Sequence, residues 1–409
     1  MPTAPIPLYS PDQKETFYVP AFEVYIRGQR LKDNIINDIL QVTYKDSINE
    51  IDSFSLEVNN WDAGARAFKF TPPVSNDFVG VFDPGSPIEL WMGYENNMRM
   101  MMRGQVTALE PSFSEAPPTL TVRGLNELHQ LRTEQHTYSW LNDELIKQGK
   151  PGKTDSQIAQ DLGAAPVKKG QPGLGIKVRI NPAKDETPDS IVFMQNQYDI
   201  VFLLERARRN GYELFLENTG DKPDLFFGLS ENKGQAPVYQ LEWGKSLINF
   251  HPSLTTSEQV GQVTVRGWDR SANRPIEETF SLQDLWKARN YSQTEIARRQ
   301  LIAQAYGNKT EVVTDQPVFT RQEAKRLARS ILEKKDKKLI EATGSTVGLP
   351  DLRAGSKMVI SGFGPPPGAR LKDLAKVITF DGRYYVKETT HTIGESGYRT
   401  EFSARREDS

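Results

Sequence analysis

The sequence predicts a mainly β, α+β chain: two antiparallel β-barrels related by internal duplication, an α+β domain between them, and a helical insertion in the second barrel. Three observations predict it. Apolar and polar residues alternate over 22–124 and again beyond about 260, the period of half-buried strands. Helical spacing is confined to stretches between and inside those regions. The two strand-rich regions also share an ordered set of short motifs. With 409 residues and 37% hydrophobic content, the chain is long enough for two or three domains with separate cores. The expected division is an N-terminal arm at 1–20, a first barrel at 21–124, a middle α+β domain at 125–240, a second barrel at 241–275 and 339–409, and a helical insertion at 276–338.

In order along the chain, Phe22, Val24 and Ile26 alternate with polar neighbours, as do Phe54, Leu56 and Val58. Pro72-Pro73 and Asp83-Pro84-Gly85 punctuate the strands. In the middle region Thr154 or Asp155 is placed to cap a short helix carrying Ile158 and Leu162 and stopping at Gly163. A second helix has Asp199 as its expected N-cap and an apolar stripe of Ile200, Leu203, Leu204 and Ala207. Gly211 is positioned to end it in a left-handed conformation. Tyr212, Leu214 and Leu216 then alternate as a strand. Between about 292 and 338 the pattern is helical again, and Thr320 and Glu323 have capping-box spacing ahead of Ala324, Leu327, Ala328 and Ile331. The remainder is strand-like and includes the Pro365-Pro366-Pro367-Gly368 loop.

The duplication rests on matched motifs. Val24-Tyr25-Ile26-Arg27-Gly28 parallels Val263-Thr264-Val265-Arg266-Gly267, and Gly85-Ser86-Pro87-Ile88-Glu89-Leu90 parallels Gly355-Ser356-Lys357-Met358-Val359-Ile360. A long strand follows each second motif, near Gly104 and Gly382, and a short loop leads to a final strand, Thr119–Arg123 or Tyr398–Phe402. Gly28 to Gly85 spans 57 residues and Gly267 to Gly355 spans 88, so the second copy holds 31 more, close to the length of the helical stretch.

Composition narrows the chemistry. The 51 Lys and Arg nearly cancel the 53 Asp and Glu, so global charge argues neither for nucleic acid nor for a membrane. The absence of cysteine removes disulfides, thiolate metal sites and Cys nucleophiles and fits assembly in a reducing cytoplasm. No apolar run reaches the roughly 18 residues of a membrane span, and residues 1–20 lack a signal-peptide pattern. His129, His136, His251 and His391 are scattered outside any ligand motif and read as structural. There is no nucleophile elbow and no phosphate-binding P-loop, and Gly362-Phe363-Gly364 reads as a hairpin loop. These patterns predict no catalytic residue, cofactor or metal. Arg321 to Lys338 is a basic helix, read as a solvated face rather than a DNA contact. Met98, Met100, Met101 and Met102 fall where a hairpin is expected to turn. They form either an adaptable protein-contact surface or, for Met100 and Met102, part of the core.

Several segments together resemble a known family. They are Ser55–Asp62 (SLEVNNWD), Ile88–Gly104 (IELWMGYENNMRMMMRG), Leu120–Leu128 (LTVRGLNEL), Gln197–Tyr212 ending in RARRNGY, Leu241–Asp269, and Tyr384–Arg405. The chain resembles the phage late control protein D group, which is similar to the first half of VgrG spike proteins and to myophage baseplate hubs. The resemblance implies tube-like barrels and a structural hub, a homotrimeric symmetry adaptor between a hexameric tail tube and a trimeric spike. It also implies other baseplate proteins as partners, a channel for DNA or protein cargo, and a place in a phage tail or contractile injection particle assembled in the producing cell. Because the chain stops soon after its last barrel strand, the spike is expected to be a separate protein. The competing functions are a peptidoglycan hydrolase at the tail tip and an effector-loading hub of a secretion system.

Overall fold

Alternation at the sequence level becomes a large sheet because each strand has one face to bury. In Ser53–Asn59 the side chains of Phe54, Leu56 and Val58 are buried, while Glu57 is exposed between them. Each such burial contributes about 1.5–3 kcal/mol. The computed structural model describes residues 6–7 and 19–407, apart from 49, 72–79, 96, 115–116, 130–131, 133, 149–151, 190, 218–223, 231–237, 271, 290, 292 and 365–378. Most of the N-terminal arm, Pro72-Pro73 and the Pro365–Gly368 loop therefore lie outside the described residues.

The first region contains β1 (Ile6–Pro7), β2 (Pro20–Ile26), β3 (Gln29–Arg30), α1 (Asp33–Ile36), β4 (Ile39–Ser47), β5 (Ser53–Asn59), β6 (Trp61–Asp62), β7 (Ala67–Phe68), β8 (Pro87–Tyr94), β9 (Asn97–Ser112) and β10 (Thr119–Asn126). The middle region holds β11 (Gln135–Trp140), α2 (Asn142–Lys147), α3 (Asp155–Ala164), β12 (Val178–Asn181), β13 (Val192–Tyr198), α4 (Asp199–Asn210), β14 (Glu213–Glu217) and β15 (Asp224–Gly228). After it come β16 (Tyr239–Glu242), β17 (Leu247–Leu254), β18 (Gln262–Asp269), β19 (Arg274–Ser281), α5 (Leu282–Ala288), α6 (Gln293–Ala303), β20 (Thr310–Val313), α7 (Arg321–Asp336), β21 (Ile340–Val347), β22 (Lys357–Ser361), β23 (Gly382–Gly394) and β24 (Gly397–Arg406). The class is mainly β with α+β character, as the alternation predicts.

Both strand-rich regions belong to one 14-stranded sheet. In the first, neighbours run β2, β8, β9, β10, β5, β4. In the second they run β16, β22, β23, β24, β21, β17. All of these pairs are antiparallel except β16–β22, which is parallel. The middle region builds a separate core from α3, α4 and two small sheets, with Ile158, Leu162, Leu203 and Phe227 buried together.

The helical insertion is larger than the sequence suggests. β18, which carries Val263–Gly267, does not open the second strand-rich region; it pairs with β19 and β20 in a sheet of its own. Its alternation is real, since Val263 and Val265 are buried, but period 2 says only that a strand exists and not which sheet receives it. The excursion leaves the large sheet after β17 and returns at β21, and Thr255 N–H donates to the Leu339 carbonyl at 3.1 Å. Its start thus falls near 255 rather than 276. Trp286, Leu327 and Leu332 pack it into the same core as Leu241, Met358 and Tyr384.

Helix ends follow local chemistry. Thr154 caps α3 in a full capping box with Gln157, and Gly211 ends α4 at φ 70°, where a side chain would be strained. Asp199 is not the cap of α4. It is the first helical residue, and its carboxylate accepts the Gly173 N–H at 2.7 Å and contacts His136 Nδ1 at 2.9 Å. Thr320 caps α7 through Glu323 N–H at 3.1 Å, while the Glu323 carboxylate accepts from Phe319 N–H instead of closing the box on Thr320.

Candidate functional site

The two strand-rich halves are joined edge to edge. Val42–Ser47 of β4 pairs antiparallel with Glu388–Ile393 of β23, so the sheet crosses from one half to the other without a break. Ile393 and Tyr398, at the tip of the β23–β24 hairpin, enter the apolar core of the first half beside Val42 and Leu56. Tyr94 O–H donates to the Gly348 carbonyl at 2.8 Å, and Arg99 pairs with Asp351 at 2.9 Å across the same boundary.

Arg353 fastens the junction. It lies in the turn before β22, and its Nε donates to Asp46 at 2.6 Å. One Nη donates to the Met101 carbonyl at 2.9 Å and to the Tyr44 hydroxyl. Its guanidinium also lies 4.7 Å from the Tyr44 ring centre. Asp46 further accepts from Ala354 N–H and the Thr389 hydroxyl, so the carboxylate is fully engaged. Nearby Asp52 accepts from Asn126 at 2.8 Å. Burial, and then the Asp46 charge, push its carboxyl up to about 7. His391 lies between Leu352 O, Thr389, Tyr398 and Thr400 at 2.9–3.1 Å. Burial pulls its imidazole down to about 4, so it is neutral near pH 7.

The methionines separate by depth. Tyr94 pairs with Asn97, so the hairpin turns before the methionines, which lie along β9 rather than at its tip. A bulge opposite Leu90 and Trp91 skips Met101 in the register, and both Met101 and Met102 are buried in the first core. Met98 and Met100 are half-buried. Met101 and Met102 are thus in the core, whereas Met100, which the alternative reading placed there with Met102, is half-buried.

The basic helix is also less solvated than expected. Arg326 of α7 pairs with Asp189 and Arg329 with Asp185 at 3.0 Å, both in the middle region. Lys337, just past α7, is buried and donates to Ser230 at 3.1 Å. Arg405 bridges Glu407 at 2.9 Å and Glu213 at 2.7 Å, tying the last strand to the middle region. Local sequence signals none of these partnerships; only the Gly355-Ser356 motif marks the turn that carries Arg353.

The outer face of the sheet is polar along its width. One row of Cα partners runs Arg123, Ser55, Thr43, Thr392, Arg399 through both halves. Lys45 and Glu388 form an ion pair at 3.1 Å over the junction. Among the described residues no group of three or more His, Asp or Glu side chains could hold a metal ion, and no helix is long and apolar enough to cross a membrane.

The architecture is similar to that of phage tail proteins of known structure. The 43 kDa tail protein of prophage MuSo2 from Shewanella oneidensis superposes with a TM-score of 0.62 at 15% identity, over 95% of this chain and 98% of that one. The tail protein from Neisseria meningitidis MC58 does so with a TM-score of 0.62 at 13% identity, over 95% and 97%. The E. coli c3393 protein is described as a component of the type VI secretion system with structural similarity to the T4 tail proteins gp27 and gp5. It matches with a TM-score of 0.53 at 10% identity, over 94% of this chain and 76% of that one. The chain belongs to the family described as Alg8 N-terminal domain, whose model matches residues 17–395. The resemblance to tail and spike hub proteins holds in the fold. No curated protein matches the sequence.

Proposed function

We propose that the chain is a structural baseplate hub of a phage tail or contractile injection system, three copies of which form a ring between a hexameric tail tube and a trimeric spike, with no reaction catalysed. The observation that carries this reading is the internal correspondence of the two halves. Their strand orders run in step, β2-β8-β9-β10-β5-β4 against β16-β22-β23-β24-β21-β17, and the directions agree except at the first pair, antiparallel for β2–β8 and parallel for β16–β22. The turn before β8 and the turn before β22 have the same bonds: Gly85 N to Val106 O and Val106 N to Ser86 O, against Gly355 N to Val386 O and Val386 N to Ser356 O, all 2.7–3.0 Å. The φ angles of Gly85 and Gly355 are 86° and 85°. Three chains with two such units each present six similar positions, and head-to-tail contacts close when the rotation divides the circle.

Under this reading the two units are barrels at 21–124 and at 239–254 plus 340–407. The middle region and the 255–339 excursion supply the three-fold asymmetry that receives the spike and other baseplate proteins. The polar row through Thr43 and Thr392 suits a wetted channel wall past which DNA or protein cargo moves, and Met98 and Met100 remain as contact residues. A reconstruction of the assembled particle tests the hub: three copies with alternating halves are expected, and six copies, or halves that do not alternate, overturn it. A peptidoglycan lysis band from the purified chain would overturn the non-enzymatic part.

A further inference from the structure

Among the described residues, the 108–112 end of β9 and the outer side of β17 are open sheet edges, and each has a counterpart at the chain's internal junction. The correspondence can be followed residue by residue. Pro87 opposes Gln105 and Lys357 opposes Tyr385, and the next residues but one, Thr107 and Lys387, are each an unpaired bulge residue against the following strand. Carried through β10 and β24 and through β5 and β21, this alignment reaches β4 and β17. There it meets a second shared bulge, with Leu40 skipped between Ile39 and Gln41 and Ile248 skipped between Leu247 and Asn249. Leu40 and Ile248 are 44% and 47% exposed. Two bulges in matching places, at the two ends of this walk through the sheet, fix the alignment.

Glu388–Ile393 thus corresponds to Ala108–Phe113, and Val42–Ser47 to Phe250–Thr255. Glu388–Ile393 and Val42–Ser47 are joined to each other within the chain. Among the described residues, no strand pairs with 108–112 on the side away from β10, and none with β17 on the side away from β21. Phe113 is 59% exposed, whereas its counterpart Ile393 is 7% exposed inside the neighbouring half's core.

We infer that Ala108–Phe113 of one copy joins Phe250–Thr255 of the next, in the register of the internal junction. The occupant is a second copy of this chain, and the inference rests on the ring proposed above. The register sets Leu109 against Leu254, Glu110 against Ser253, Pro111 against Pro252, and Phe113 against Phe250. Proline has no N–H to add to a ladder, so each edge alone is a poor template for indiscriminate pairing. Setting the two prolines opposite one another gathers the missing donors at a single pair. The ionic lock is not repeated: Arg353 corresponds to Asp83, Asp46 to Leu254, and the Lys45–Glu388 pair to Ser253 and Ala108. The seam between copies is therefore the more apolar and weaker one, suited to closing last against tube or spike.

The chain has no native cysteine, so Glu110→Cys with Ser253→Cys reports the seam directly. Directly opposed residues in an antiparallel pair have the Cα separation that a disulfide needs. Oxidation of assembled particles carrying the double variant is expected to give covalent dimers and trimers on a non-reducing gel, with neither single variant doing so. A reconstruction of the same particles separates the two ideas. A three-copy ring that yields no cross-link overturns the seam and leaves the hub standing, and a ring of another number overturns the hub whatever the gel shows. Phe113→Asp, which loses only an edge contact with Phe68 within the chain, is expected to lower the melting of the isolated chain little and to abolish ring formation; normal rings from this variant overturn the seam.

Discussion

At the scale of single residues, the junction depends on groups whose charges cannot be removed singly. Replacing Arg353 by Met leaves Asp46 buried without its cation, and breaking a buried pair in this way costs about 3–5 kcal/mol. Denaturant unfolding of Arg353→Met should show a loss of that order, with the Asp46→Asn, Arg353→Met double variant losing less than the sum of the two singles. Asp52 and His391 make opposing contributions to the pH dependence. The Asp52 carboxyl is raised to about 7, so the folded state holds a proton that the unfolded state releases, and its contribution falls as pH rises from about 4 to 7. The imidazole of His391 is lowered to about 4, so the unfolded state binds the extra proton, and its contribution falls as pH drops from about 6.5 to 4. The two offset each other between pH 4 and 6.5. Asp52→Asn should therefore lose stability more steeply than the parent when melting is followed from pH 6.5 down to 4; an equal slope would refute the assignment. None of this is legible from the sequence. Arg353 reads as an exposed turn residue after Asp351-Leu352, and only the folded chain brings it to Tyr44 and Asp46.

For individual elements, legibility followed the reach of the signal. Strands such as β5 and β10 are evident because alternate side chains are buried, and α4 ends where Gly211 predicts. β18 has an equally good pattern but belongs to another sheet, because alternation does not name the partner: it pairs with the adjacent β19 and with β20 rather than with the large sheet. The methionine stretch lies beyond the turn, since Tyr94 already pairs with Asn97, and a bulge that spacing alone does not show turns Met101 inward beside Met102. The matched turns before β8 and β22 provide a test of environment at constant backbone. Gly85 and Gly355 share a left-handed φ near 86°, which disfavours alanine by about 1–2 kcal/mol. A Cβ at Gly85 would meet nothing within 4 Å, whereas one at Gly355 would run into the Phe215 ring of the middle region. Gly355→Ala should thus be the more destabilising of the two in parallel melts, and equal losses would show that Phe215 moves aside freely.

In the whole molecule, four cores are held as one body by charge as well as by apolar contact. The first and second halves share a sheet and the apolar tip of β23–β24. The middle region is attached differently: a small cluster of Ile48, Phe215, Phe226 and Tyr385, the Glu213–Arg405 pair, and Asp189, which receives Arg206 from its own region and Arg326 from α7. Burial opposes ionisation of Asp189, but Arg206 and Arg326 outweigh it and hold the carboxyl below its usual range. Such a tie favours one docking geometry while contributing less to global stability than a core of equal size. Asp189→Asn removes the negative charge from among Arg206, Arg209 and Arg326 and is expected to loosen the middle region without unfolding the sheet. Amide exchange in α3 and α4 should accelerate, while β4, β5, β10 and β23 keep their protection. Equal acceleration throughout would mean that the molecule opens as a single cooperative unit. No change in α3 and α4 would mean that the apolar cluster around Phe215 and Tyr385 is enough to dock the middle region.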